Sequence, residues 1–136
     1  MKIWEGFGSE HSANLIMIGR FKEVKNAKET LLKIEKLKEQ VQKESQSGDI
    51  VVGGVTDRYT DEMMKLFGEL KIHSLGPSDL EQLAFDVSIE HKEKELILTT
   101  DEVDVAAFFK ILVLEGAKVE MYSRHDYPEE NNTENI

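Results

Sequence analysis

The sequence predicts an α+β domain: an antiparallel sheet with helices on one face and a helical insertion. Three observations carry that expectation. Leu15-Ile16-Met17-Ile18 is a continuous apolar run, residues 85–91 alternate apolar and polar, and two longer stretches repeat apolar residues at helical spacing.

The elements follow in order. "ANLIMIGRF" has apolar side chains at successive positions, so it reads as a central strand buried on both faces. In "KEVKNAKETLLKIEKLKEQVQKES", Ala27, Leu31, Ile34 and Val41 recur at spacings of three, four and seven, with Leu32 and Leu37 widening the stripe; this is an amphipathic helix packed on a sheet. "SGDIVVGGVTDRYT" breaks it, with a short strand expected at Ile50–Val52 and a bend at Gly53-Gly54. "TDEMMKLFGELKI" starts at an N-capping Thr60 and aligns Met63, Leu66, Phe67 and Leu70; Met63 and Met64 both read as core. "PSDLEQLAF" is a second short helix, with Ser78 and Glu81 at capping-box spacing. "FDVSIEH" sets Phe85, Val87 and Ile89 on one side of a strand, and "KELILTT" follows a charged turn at Lys92–Lys94, which predicts a hairpin. "DEVDVAAFFKILVLEG" reads as a helix with acidic residues in its first turn and a Gly116 cap, apolar nearly all round and so covered on more than one side. "AKVEMYSR" is the closing strand.

Strand, helix, helical insertion, strand, strand, helix, strand over residues 13–124 resembles the ferredoxin-like split βαβ arrangement in topology. The resemblance brings no functional residues with it, because that plan hosts many unrelated activities. The expected organisation is a single domain over 1–124, an insertion at about 48–84, and a flexible acidic tail at 125–136. "KIWEGFG" is expected to add an edge strand or to cap the core with Trp4 and Phe7.

Charge and composition narrow the partners. With 27 acidic and 17 basic side chains the net charge is -10, which repels phosphate backbones and anionic lipid heads. Neither nucleic acid nor membrane is therefore an expected partner; a basic protein is. There is no cysteine, hence no disulfide framework or thiolate site, and a cytoplasmic location is expected. The N-terminus lacks the apolar core of a signal peptide. Asn131-Asn132-Thr133 matches a glycosylation sequon that only a secreted chain could use.

The one dense cluster of chemistry-bearing residues is "WEGFGSEHS". Gly6-Phe7-Gly8 begins like a dinucleotide-binding loop, but position 11 is His and a strand follows, not a helix. Ser9, Glu10 and His11 are hydrolytic residue types, yet sequence neighbours rarely converge as a triad and no G-x-S-x-G elbow is present. A polar turn leading into the central strand is the favoured reading. Trp4, Ser9, Glu10 and His11 stay as ligand-binding candidates for the alternative, a small enzyme or ligand-binding protein.

His11, His73, His91 and His125 lack metal-motif spacing, so neither a metal nor a cofactor is expected. Asp61-Glu62 and Asp101-Glu102 suit helix N-termini, and Glu129-Glu130 lies in the tail. Lys110 is the only basic residue of its helix; it either becomes a lowered-pKa amine or, as the favoured reading has it, snorkels to water. The functional expectation is a non-enzymatic protein-binding or regulatory module, of which a toxin-neutralising immunity protein is one concrete version. A homodimer is expected to cover the apolar surface of 103–114 and the open side of the sheet.

Overall fold

The computed structural model describes residues 14–54 and 58–123. It is an α+β structure with one four-stranded antiparallel sheet. The elements are β1 (Leu15–Arg20), α1 (Val24–Ser47), α2 (Asp61–Leu70), a 3₁₀ segment (Pro77–Ala84), β2 (Val87–Lys92), β3 (Glu95–Thr100), α3 (Ala106–Leu114) and β4 (Lys118–Ser123). Across the sheet the strands run β2-β3-β1-β4. The apolar run does form an interior strand.

Strand alternation decides which side chains meet the helices. Met17, Leu96, Leu98 and Val87 are buried, and a Cβ placed on Gly19 would lie 3.1 Å from Leu112 Cδ2 of α3. These residues define an inner face. They share one core with Ala27, Ile34, Leu37 and Val41 of α1 and with Phe108, Ile111 and Leu112 of α3. The segment between α1 and β2 contributes Ile50, Met63, Phe67, Ile72, Leu80 and Leu83 to the same cluster.

Local chemistry sets the ends of the elements. Thr60 caps α2, its Oγ1 accepting the Met63 N–H at 3.0 Å, and Asp61 and Glu62 occupy the first turn where the helix dipole favours negative charge. The β2–β3 hairpin turns through Glu93, at φ 52°. After α3, Gly116 adopts φ 92°, the Gly116 N–H reaches the Val113 carbonyl and the Ala117 N–H reaches that of Leu112, which together satisfy carbonyls the helix leaves free.

Several expectations are corrected. Leu32 is 53% exposed, because the stripe of α1 that meets the core is narrower than the apolar residues on it. No strand forms at Ile50–Val52: only Ile50 is buried, while Val51 and Val52 face solvent in a turn. Met64 is exposed, since Met63, Phe67 and Leu70 already fill the buried face of so short a helix. The cap expected from Ser78 and Glu81 sits two residues earlier. Gly76 is the N-cap and its N–H donates to Asp79 Oδ2 at 2.8 Å, while Glu81 accepts the Gly53 N–H and ties down that loop. Phe85 precedes β2 and is only partly buried. α3 starts at Ala106, so Asp101, Glu102 and Asp104 lie before the helix and not in its first turn. That helix is covered on one side, with Phe109, Val113 and Leu114 exposed.

Candidate interaction surface

Trp4, Ser9, Glu10 and His11 all lie outside the described residues, as do His125 and the acidic tail. In the sequence their cluster precedes β1, whose first residue Leu15 is paired with Thr100 on one side and Ser123 on the other.

Several other chemistry-bearing groups hold elements together. Lys110 Nζ meets Asp79 Oδ2 at 2.7 Å, and the same oxygen accepts the Gly76 N–H. This is the signal in Lys110: its ammonium joins α3 to the 3₁₀ segment instead of simply reaching into water. Gln82 Oε1 adds a second tie by accepting the Ala107 N–H at the start of α3. Lys33 of α1 pairs with Glu115 at 2.9 Å. Glu44 is buried at the end of α1, where its carboxylate accepts from Gln40 Nε2 at 2.7 Å and from Thr60 Oγ1 at 2.6 Å.

The two described histidines, His73 and His91, are not among the partners in these contacts. His73 is exposed, and His91 Nε2 donates to the Glu93 carbonyl within the hairpin turn. Among the described residues no group of three or more His, Asp or Glu side chains is placed to hold a metal ion, and no helix is long and apolar enough to cross a membrane. A groove between α1 and β2 is lined by Leu31, Glu35, Lys38, Glu39, Gln42, Val87 and Ile89.

The outer face of the sheet is different in kind. The pairing places its outward residues in three rows that cross β2, β3, β1 and β4 in turn. The first is Ser88, Thr99, Ile16 and Tyr122; the second Glu90, Ile97, Ile18 and Glu120; the third Lys92, Glu95, Arg20 and Lys118. The described helices all contribute to the core on the opposite side. Ile16, Ile18 and Ile97 belong to no core cluster and are half-buried by their strand neighbours, and Tyr122 is 48% exposed.

Arg20 organises the charged row. Its Nε lies 2.8 Å from Glu95 Oε2 and its Nη1 2.9 Å from Glu120 Oε1, so one guanidinium bridges the two strands that flank β1. The hydrogen bond to Glu95, then that to Glu120, raises the Arg20 pKa above its ordinary value. The result is an apolar centre bounded by this charged row and, at the two sheet edges, by Glu90 and Glu120. Sequence reasoning reached this surface only through the both-faces apolarity of β1. It did not reach the role of Arg20, because a cross-strand bridge depends on a register that spacing alone does not give.

A family model matches residues 1–134, and the chain belongs to that family, described as "Family of unknown function (DUF6375)". Neither a curated protein nor a solved structure matches it significantly.

Proposed function

We propose that this member of DUF6375 is a non-enzymatic protein-binding or regulatory module that works through the outer face of its sheet. One observation carries the reading: β1 is apolar on both sides, whereas the described elements cover only the side of Met17 and Gly19. A strand with no outer partner gains nothing from Ile16 and Ile18; polar residues there would cost less in solubility, as Ser88, Glu90 and Lys92 of β2 illustrate. The acidic balance favours a basic partner for the rest of the surface, in the manner of an immunity protein, and the lack of cysteine supports a cytoplasmic setting.

We also read the order β4-β1-β3-β2, with α1 and α3 as its two crossovers, as the ferredoxin-like plan carrying residues 48–84 as an insertion within a single domain over 1–124. Neighbouring strands that are all antiparallel support that reading.

The test is solvent access at high dilution. With a soluble gadolinium chelate, NMR signals of Ile16, Ile18, Ile97 and Tyr122 should broaden strongly, as expected of an open surface, while Met17 and Leu98 stay sharp. Protection of the outer set in a dilute monomer would sink the proposal. The enzyme or ligand-binding alternative, a pocket walled by Trp4, Ser9, Glu10 and His11, is checked separately by thermal shift with divalent metals and small metabolites. Stabilisation lost only in Glu10→Gln and His11→Ala would establish it instead.

A further inference from the structure

Resting on the open-face reading, we infer that the occupant of the outer face is a second copy of this chain, docked sheet to sheet about a two-fold axis that runs parallel to the strands between β1 and β3. An isologous contact requires a patch that complements itself under rotation. About this axis β1 lies over the partner's β3 and each row lies over itself. Ile18 and Ile97 are cross-strand partners within one chain, so in the dimer Ile18 meets the partner's Ile97, and the reverse. Ile16 and Thr99 exchange in the same way. Arg20 and Glu95 are likewise paired, so the exchange puts each guanidinium opposite a carboxylate of the other copy.

Turning the axis by a right angle would set Ile16 over the partner's Arg20, and Ile97 and Ile18 each over its own copy. That arrangement buries charge against an apolar side chain, so charge complementarity selects the first.

The margins of the patch set the strength. In the chosen arrangement Glu90 falls opposite the partner's Glu120, and Lys92 opposite its Lys118, so the edges repel while the centre attracts. Each chain also carries a net charge of -10. Six-residue strands four abreast make a face roughly 20 Å by 20 Å, below the about 800 Å² that each partner gives to a standard interface. The association is therefore weak, concentration-dependent and strengthened by added salt, which screens the edge and net-charge repulsion.

Sedimentation velocity of the full chain reads this directly. The expected result is a shift from 15.5 kDa toward twice that mass with rising concentration, with the midpoint moving to lower concentration as salt is added. Ile18→Lys should weaken dimerisation at least about tenfold while preserving the far-UV spectrum, and Val113→Lys on the exposed side of α3 should leave it unchanged.

The geometry is read by mixing charge-reversed chains. Arg20→Glu alone and Glu95→Arg alone should each be monomeric, whereas their equimolar mixture should form a heterodimer, because only between the two different chains do positions 20 and 95 carry opposite charges in both contacts. A rearrangement confined within one chain gives no rescue on mixing.

A wild-type monomer at high micromolar concentration in high salt overturns the dimer. It leaves the open-face reading to the gadolinium measurement, which then separates a foreign protein partner from a face closed within the chain. A dimer that Val113→Lys disrupts and Ile18→Lys does not, or one without rescue on mixing, overturns the proposed pairing.

Discussion

The two faces of this sheet are built by the same strands and differ in what covers them. On the inner face Met17 and Leu98 are 2% exposed and Leu96 is fully buried, held under α1 and α3. One residue along in each strand, Ile18 and Ile97 are only half-buried, screened by neighbouring strands but by no described helix. Alternation thus assigns a residue to a face, and burial then depends on whether another layer arrives. β2 agrees with its surroundings, with Val87 inside and Ser88, Glu90 and Lys92 outside. β1 does not, and that disagreement locates the candidate contact surface.

The strongest way to break the comparison is to damage the inner face. Phe108 of α3 is fully buried within the core shared by α1 and the sheet. Phe108→Ala should lower unfolding free energy by about 3–5 kcal/mol in a chemical denaturation series, through lost apolar burial and the cavity left behind. A loss below about 1 kcal/mol would mean that the helical layer does not pack on the sheet as described.

A smaller and sharper test uses the addition of a methyl group. At Gly19 a new Cβ would lie 3.1 Å and 3.3 Å from the two Leu112 methyls and 3.5 Å from Ala117 Cβ, so Leu112 must yield by a few tenths of an ångström. Gly19→Ala should therefore destabilise by about 1–3 kcal/mol, the ordinary range for overpacking a filled core. On the outer face, Thr99→Val exchanges a hydroxyl for a methyl with no described helix above it, and should stay within about 0.5 kcal/mol in dilute solution. Equal effects at both positions would erase the distinction between the faces.

How much of this was legible follows from where the information resides. The interior position of β1, the β2–β3 hairpin, the Thr60 cap and the stop at Gly116 rest on local periodicity and local backbone chemistry, and each is where the residues point. Local patterning failed where tertiary competition decides. Met63 and Met64 are chemically identical neighbours, and only packing into the shared core separates the buried one from the exposed one. Asp101, Glu102 and Asp104 resemble a helix start, but the helix begins only at Ala106, where Gln82 receives the Ala107 N–H. The Lys110–Asp79 and Arg20–Glu95 pairs join residues 31 and 75 positions apart, beyond what spacing can reveal.

The smallest expected effect lies at Arg20, and its smallness is informative. The side chain is 46% exposed and bridges Glu95 and Glu120 in contact with solvent, where Coulomb attraction is weakened by water and by the entropy of holding long side chains in place. A group whose pKa is raised on folding stabilises the fold below its unfolded pKa, and that contribution is lost as pH rises through the folded one. For an arginine raised by its Glu95 and Glu120 hydrogen bonds this loss comes only at the strongly alkaline end. In dilute solution Arg20→Gln should thus lower the melting temperature slightly, by less than Gly19→Ala, with no change in that difference attributable to arginine deprotonation between about pH 6 and about pH 9. Molar salt, with a Debye length of about 3 Å, should shrink the difference further. If the melting difference instead exceeded that of Gly19→Ala and resisted salt, Arg20 would be shielded from water in the monomer itself. The outer face would then be closed in the isolated chain, and the contrast between the two sides of the sheet would collapse.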